Sequence, residues 1–329
     1  MFAAVMLRDL GYSVIVLERY EKGKLLDQGA GLRLGDDVAK FLDAHNLIAY
    51  GIPASRAIVF DIDGSFAQVG PLSGSLTNWS TIHGVLKRYF QQSNANGSEA
   101  VFRYGCYVTQ VEEAGDRVKV IFETQGQKQS LEADLIIGAD GAGSKVRSSF
   151  FPGLKRKYVD YIIYRGLARP EDTSEETRKL LLDSAIWHFG LDNMCIMYTV
   201  PGSDDIEDDR PKGERQFFNF AYYSFVNDEV LNELLTDIDG KKHEFSTPMG
   251  KLRPDMVDLI KATARKQLPP QLAEVVEKTE KPFVQVPTDV IAPEICFLNG
   301  KVFLIGDAAA GVRYEAAFSN YWMHRTNKL

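Results

Sequence analysis

Two aspartates, Asp140 and Asp307, each follow a short apolar segment and lie beside a glycine. An aspartate in that position presents its carboxylate at the carboxyl end of a strand, where the ligands of open α/β sheets bind. The carboxylate can accept hydrogen bonds from sugar hydroxyls, and the free N–H groups of a following helix favour a phosphate. This pattern therefore indicates a site for a ligand that carries both hydroxyls and phosphates.

The segment before Asp307 comprises four apolar residues, 302–305, followed by Gly306. Its composition predicts a buried parallel strand. Residues 308–310 are alanines, and we expect them to open a helix. Taken alone the pattern has a second interpretation, because Gly-Asp ends many strands and the aspartate can simply cap the next helix.

The segment around the first aspartate carries more detail. Residues 135–137 are predicted as its strand. Gly138 and Gly141 provide backbone freedom and close approach on either side of the aspartate. Ser144 is placed to cap a helix that carries Arg147. Two such strand endings in one chain are stronger evidence for this ligand site than either ending alone.

These motifs resemble those of flavoprotein aromatic hydroxylases of the p-hydroxybenzoate hydroxylase type, and most closely the branch that contains 2,6-dihydroxypyridine 3-monooxygenase. GADGAGSKVR at 138–147 resembles the family's Asp-Gly motif, implicated in binding the pyrophosphate of FAD and the pyridine nucleotide. LIGDAA at 304–309 resembles its Gly-Asp motif, which holds the ribityl chain. The resemblance implies cofactor-binding roles for Asp140, Gly141, Arg147, Gly306, Asp307 and Ala308. Three further segments are similar to the same branch, namely 215–223, 235–254 and 282–290.

The start of the chain adds two cofactor candidates. Apolar spacing predicts a helix over residues 3–10, followed by a strand over 13–17. Glu18 follows this strand, as an acidic residue about 20 positions after a G-x-G-x-x-G loop does in a dinucleotide-binding unit, where it accepts from ribose hydroxyls. The alternative is an exposed acid at a strand end. Segment 28–34, which includes Gly31, is similar to the family's flavin-lining segment.

Both ends of the sequence depart from the family pattern. Counting back from Glu18 places the glycine loop before residue 1, so we expect the first strand and that loop to lie outside this sequence. Residues 311–329 have no counterpart of the family's usual turn and cofactor-covering helix. The sequence therefore predicts a chain truncated at both ends, and a polypeptide without FAD is one alternative.

Composition is typical of a globular enzyme. The 329 residues suffice for one large or two interleaved domains. A net charge of −7 argues against a nucleic-acid partner. Arg8 and Asp9 interrupt the apolar N-terminal stretch, so neither a membrane span nor a signal peptide is predicted, and we expect a cytoplasmic protein. Cys106, Cys195 and Cys296 lie far apart, which favours buried free thiols and no metal site.

The predicted fold class is α/β: a Rossmann-like FAD-binding domain, with its first strand and glycine loop missing, interleaved with a mostly antiparallel sheet on the substrate side. Three segments rich in β-branched and aromatic residues supply the sheet, namely 158–168, 184–200 and 215–225. Hairpin turns are predicted at 63–64 and 299–300, the second of type I′. The FAD-binding domain is assigned to 1–56, 100–156 and 284–329, and the substrate side to 57–99 and 157–283.

In the family the substrate lies between such a sheet and the flavin ring, so aromatic residues of the sheet are candidates for the pocket. Tyr223 matches a tyrosine of the branch and is the predicted substrate-binding residue. Tyr164, Trp187 and Tyr198 are weaker candidates, and each aromatic has the alternative of ordinary sheet packing. No histidine is assigned as a base, because none has a visible partner in the sequence.

The resemblance implies a specific reaction. NADH or NADPH reduces FAD, the reduced flavin combines with O₂, and a C4a-hydroperoxide transfers oxygen to an electron-rich phenolic or heteroaromatic small molecule. A homodimer is left open. The alternatives are another flavin-dependent oxidation or an epoxidation on the same fold, or an inactive fragment without FAD.

Overall fold

The computed structural model of the chain describes residues 1–22, 31–61, 63–92, 98–202 and 215–311. The chain divides into two compact units, each built from separate stretches of sequence. The described residues of the first unit lie within Met1–Leu26, Phe90–Val159 and Pro287–Met323. The described residues of the second lie within Asp27–Tyr89 and Asp160–Val286.

The described residues form eight α-helices and 22 strands. The helices are α1 Phe2–Asp9, α2 Asp36–Ala44, α3 Trp79–Gln91, α4 Lys145–Phe150, α5 Glu175–Leu181, α6 Asp228–Leu234, α7 Pro254–Gln267 and α8 Pro270–Lys278. The strands are β1 Val14–Leu17, β2 Gly31–Leu34, β3 Ile52–Pro53, β4 Arg56–Phe60, β5 Phe66–Gly70, β6 Ser75–Asn78, β7 Ala100–Arg103, β8 Tyr107–Ala114, β9 Arg117–Thr124, β10 Gln127–Ala133, β11 Ile136–Gly138, β12 Lys157–Tyr158, β13 Ile162–Ala168, β14 Ser184–Phe189, β15 Asn193–Pro201, β16 Gln216–Ser224, β17 Ser246–Thr247, β18 Phe283–Gln285, β19 Thr288–Ile291, β20 Cys296–Phe297, β21 Val302–Leu304 and β22 Ala310–Gly311.

The first unit contains the parallel strand pairs that the motifs predict. Strand β1 pairs in parallel with β7, and β11 pairs in parallel with β21. Antiparallel strands β8, β9 and β10 form a further sheet. Apolar side chains of these strands pack with Val146 of α4 into one buried cluster, which also includes Val302 and Leu304 of β21. The cluster fixes β21 and α4 on either side of the two aspartate turns.

The second unit is built on an eight-stranded sheet in the order β17-β18-β13-β16-β15-β14-β4-β5. All neighbours in it are antiparallel except β14 and β4. This arrangement confirms the predicted mostly antiparallel sheet. Prolines open both α7 and α8.

The two faces of this sheet differ in what covers them. Side chains alternate along β16, so Phe218, Phe220 and Tyr222 share one face. The Tyr222 hydroxyl bonds Gln267 of α7, so helices cover this side. The opposite face, here called the Tyr223 face, carries Phe217, Asn219, Ala221 and Tyr223 of β16 and the residues in register with them on β13 and β15.

Four expectations are wrong in detail. Residues 308–310 do not open a helix: a 3₁₀ turn spans Gly306–Ala308, and β22 then pairs with β19, because strand pairing outweighs the helix propensity of alanine. The hairpin between β20 and β21 has a four-residue loop, 298–301, with three positive φ angles, and is not a two-residue type I′ turn. Cys296 is exposed, since its short strand lies at a sheet edge.

The fourth concerns the domain boundaries. The described residues of 31–56 belong to the second unit and not to the first, because β2 and β3 pair with β6 of that unit. No helix in the described ranges is long and apolar enough to span a membrane.

Candidate functional site

The two aspartate motifs end neighbouring strands at the same edge of one sheet. Gly138, the last residue of β11, is in register with Leu304, the last residue of β21. The Ile305 amide continues the pairing and donates to the Gly138 carbonyl oxygen at 3.0 Å. Asp140 and Asp307 therefore both project beyond the carboxyl ends of adjacent parallel strands, as the sequence predicts.

The first turn is held by close packing and by two caps. A Cβ on Gly138 would lie 2.8 Å from Leu304 and 2.9 Å from Val146, so only glycine fits. One carboxylate oxygen of Asp140 accepts from the backbone amides of Lys145 and Val146, at 2.6 and 3.2 Å. The predicted cap is present as well, since the backbone amide of Arg147 donates to Ser144 Oγ at 2.9 Å. Part of the Asp140 carboxylate is thus committed to the start of α4.

Arg147 joins the two turns. Its side chain is buried, and its guanidinium donates to the carbonyl oxygens of Ala142 at 2.5 Å and Ala308 at 2.8 Å, with a longer contact to that of Asp307 at 3.4 Å. Burial lowers the pKa of Arg147, and the nearby Asp140 carboxylate opposes that shift. An arginine that neutralises three carbonyl dipoles fixes the spacing of both turns, so Arg147 acts here as a positioning residue.

The second turn leaves its carboxylate available. Gly306 has a φ of +57°, and Ala308 is fully buried beneath the turn. Asp307 between them is exposed, and its carboxylate makes no hydrogen bond to any described residue. An open carboxylate at a strand end, beside a glycine turn, matches the hydroxyl-bearing chain of FAD, so the residues present fit that cofactor.

Glu18 lies at the end of β1 in the same unit. Its backbone amide donates to the Arg103 carbonyl oxygen at 2.8 Å, and its carboxylate accepts from the Tyr20 amide at 2.9 Å. One oxygen thus caps the local turn, and the side chain is half-buried. Its predicted contact with a ribose stays a prediction.

Gly31 is in the second unit, on β2. A Cβ at this position would lie 2.6 Å from the Tyr198 hydroxyl oxygen and 2.7 Å from Cζ of the same ring. The backbone of β2 therefore lies directly on the Tyr198 ring. The preceding predicted residues, 28–30, lie outside the described part of the chain.

The predicted pocket aromatics divide between the faces of the large sheet. Tyr223 is in register with Met194 of β15, and Tyr198 with Asn219, so both tyrosines lie on the Tyr223 face. Trp187 lies on that face too. Tyr164 is paired with Tyr222 and faces the helices instead. Tyr223 is 4 % exposed and packs against Tyr161 with ring centroids 5.9 Å apart.

Sequence reasoning missed two polar residues on the Tyr223 face, Arg165 and Asn219. The sequence does mark Asn219, because it is the single asparagine inside the aromatic segment FFNFAYY, residues 217–223. The unassigned histidines lie elsewhere: burial lowers the pKa of His188 on the helix-covered face, and His243 bonds the Asp237 carboxylate at 2.7 Å. His188 therefore does not lie on the Tyr223 face.

Comparison with known proteins shows what this chain is similar to. Residues 158–289 match a family described as FAD binding domain-like. The chain is 28 % identical over 319 residues to 2,6-dihydroxypyridine 3-monooxygenase from Paenarthrobacter nicotinovorans, which covers 96 % of this chain and 75 % of that protein. The resemblance to FAD-dependent aromatic hydroxylases is confirmed.

Two further comparisons extend this resemblance to the hydroxylases. The structure of 2,6-dihydroxypyridine-3-hydroxylase from Arthrobacter nicotinovorans superimposes with a TM-score of 0.81 at 25 % identity, over 100 % of this chain and 81 % of that one. The chloroplastic zeaxanthin epoxidase of Arabidopsis thaliana is 41 % identical over 139 residues, 42 % of this chain and 18 % of that protein. The predicted FAD-binding α/β fold and the similarity to flavin-dependent monooxygenases are thus confirmed.

Proposed function

We propose that this protein is an FAD-dependent monooxygenase that uses NADH or NADPH and O₂ to hydroxylate a phenolic or heteroaromatic small molecule. One observation carries the proposal: Arg147 ties together two aspartate turns at the carboxyl ends of adjacent parallel strands, and it leaves the Asp307 carboxylate open. Similarity to a monooxygenase over 96 % of the chain supports it.

In this proposal the residues of the first unit hold the cofactor. The Asp307 carboxylate accepts hydrogen bonds from the ribityl hydroxyls, because it is exposed and has no competing partner among the described residues. The turn at Asp140 and Gly141 lies beside the pyrophosphate, and Glu18 accepts from the ribose. Gly31 keeps its predicted role as a flavin-lining residue of the second unit.

Bound FAD supplies the redox chemistry, since it takes a hydride from the nicotinamide and activates O₂. The overall reaction consumes substrate, O₂, NAD(P)H and a proton, and releases hydroxylated substrate, water and NAD(P)⁺. The protein orients the ring and excludes water, which requires no catalytic triad. The Tyr223 face offers aromatic and polar side chains for this purpose, with Tyr223 as the proposed substrate contact. The name of the first relative favours a hydroxypyridine as the substrate class.

The match to zeaxanthin epoxidase supports an alternative, an epoxidation on the same fold. The two reactions differ in where the oxygen goes: hydroxylation replaces a ring C–H by C–OH, while epoxidation adds oxygen across a C=C bond. Product analysis therefore separates them.

The test is oxygen incorporation by the full chain with added FAD. Under ¹⁸O₂, with NADPH or NADH and a panel of phenols and hydroxypyridines, we expect a product heavier by one ¹⁸O atom that carries a new aromatic hydroxyl. Cofactor oxidation that releases only hydrogen peroxide with every ring tested, or an epoxide product from an olefin, contradicts the proposal.

A further inference from the structure

Strand β10 of the first unit has an open outer edge. Its sheet has the order β10-β9-β8, so β10 and β8 are the two edge strands. Helix α4 packs on β8, and the Val111 amide donates to Ser149 Oγ of that helix at 2.9 Å. No strand or side chain in the described ranges bonds the outer edge of β10, and its residues are exposed or half-buried throughout. The sheet therefore has one covered edge and one open edge.

The hairpin between β9 and β10 determines which backbone groups point outward. Its loop, residues 125–126, has two positive φ angles, +49° and +72°, as in a two-residue type I′ turn. The flanking pair, Thr124 and Gln127, is then hydrogen-bonded, and hydrogen-bonded and non-hydrogen-bonded positions alternate from there along β10. Three residues therefore point their N–H and C=O groups away from β9, namely Lys128, Ser130 and Glu132.

The charges along this edge complement a second copy of the same edge. Lys128 and Glu132 lie two positions on either side of Ser130. Both are exposed, and neither makes an ion pair with a described residue. Lys119, which lies opposite Glu132 on β9, pairs instead with Glu112 at 3.3 Å. When two copies pair in antiparallel fashion about a two-fold axis through Ser130, the lysine of each copy lies opposite the glutamate of the other.

Other registers lose this complementarity. A two-fold axis through Lys128 places two lysines opposite each other, and an axis through Glu132 does the same with two glutamates, and like charges directly opposite are destabilising. The register centred on Ser130 also uses all the outward residues, and each pair exchanges two backbone hydrogen bonds. The charges discourage pairing with an unrelated strand, because edge charges protect a strand from partners that do not match them.

We propose that two copies of this chain associate through β10, as an antiparallel pair centred on Ser130. The β10-β9-β8 sheets of the two copies then form one continuous sheet. A two-fold pairing consumes both open edges, so assembly stops at a dimer. One strand from each copy buries less area than a standard interface, so we expect a dissociation constant in the micromolar range. This inference goes beyond the proposed function and uses neither the cofactor site nor the Tyr223 face.

The test is sedimentation velocity of the full chain over a concentration series. We expect a monomer–dimer equilibrium with a dissociation constant of about 1–100 μM. Lys128→Glu and Glu132→Lys each replace two ion pairs by two like-charge pairs, so each should weaken the dimer at least about ten-fold. The double variant restores opposite charges in exchanged positions and should restore the wild-type affinity. Lys155→Glu, the same charge change at an exposed position outside this sheet, should leave the affinity unchanged.

Ser130→Pro tests the backbone pairing. It removes an outward N–H group and leaves the hydrogen bonds to β9 in place, so it should abolish the dimer while keeping the wild-type circular dichroism. If this variant does not fold, hydrogen exchange of the wild-type chain replaces it: the outward amides of β10 should exchange more slowly at high than at low protein concentration.

Four results would overturn the inference. They are a wild-type chain that stays monomeric up to about 100 μM, a dimer that persists in folded Ser130→Pro, single charge reversals that the double variant does not rescue, and outward amides whose exchange is independent of concentration. Rescue by the double variant would show that the single reversals lost the pairing and not the fold.

Discussion

Arg147→Met tests whether one buried guanidinium holds the two aspartate turns together. Arg147 makes two short hydrogen bonds, to Ala142 and Ala308, and a longer one to Asp307. A hydrogen bond from a charged group contributes about 1.5–3 kcal/mol, so the two short ones sum to about 3–6 kcal/mol. Methionine regains some packing and removes the desolvation of a buried charge, which returns about 2 kcal/mol. We therefore expect the free energy of unfolding to fall by about 1–4 kcal/mol.

The same variant should weaken FAD binding. Without the guanidinium the Asp307 turn must be ordered when FAD binds, and each 1.4 kcal/mol of that ordering lowers the affinity ten-fold. We expect an increase of about ten-fold in the dissociation constant, measured by flavin fluorescence titration at a temperature where the variant is folded.

Arg56→Met is the matched control. Arg56 also donates to three carbonyl oxygens, those of Lys179, Leu180 and Leu182, at 2.7, 3.1 and 2.9 Å, but it lies in the second unit. Because Arg56 is only half-buried, water replaces much of what its hydrogen bonds contribute, so Arg56→Met should lose about 1–2 kcal/mol of stability and leave FAD affinity unchanged. If Arg147→Met changes the unfolding free energy by less than about 0.5 kcal/mol, or if both variants weaken FAD equally, the positioning role is refuted.

Two further predictions concern the second unit. Gly31→Ala places a methyl group against the Tyr198 ring and should cost about 1–3 kcal/mol in urea unfolding, and most of this cost should vanish in a Tyr198→Ala background; additive effects would show that the ring is not the obstacle. Burial and the neighbouring Lys87 lower the pKa of His83 to about 4. The unfolded chain then binds the extra proton between pH 6.5 and about 4, so stability should fall as the pH drops through this window, and His83→Gln should flatten that slope. An NMR titration that places the His83 pKa near 6.5 would contradict this.

Local features of the site were predictable because local physics determines them. The capping role of Ser144 and the strand before Asp307 follow from residue type and apolar pattern, and the structure has both. The helix expected at 308–310 does not form, because β22 pairs with β19 instead, a segment about 20 residues away in the sequence. Such pairing is set by tertiary contacts that no local window contains.

The Tyr223 face was only partly predictable for the same reason. Alternation along β16 places Asn219 and Tyr223 on one side, yet which side the helices cover depends on where α7 and α8 pack. The placement of Arg165 beside Asn219 needs the register between β13 and β16, which sequence reasoning did not supply. Sequence alone therefore predicted the two aspartate turns more fully than the Tyr223 face.

The central claim is that the two aspartate turns bind FAD, and the most direct measurement is the visible spectrum of the purified chain after incubation with FAD and desalting. We expect the wild-type chain to retain the flavin absorption bands, and we expect Asp307→Ala to lose most of them while keeping the wild-type far-ultraviolet circular dichroism. A colourless wild-type protein, or equal flavin retention by both proteins, would contradict it.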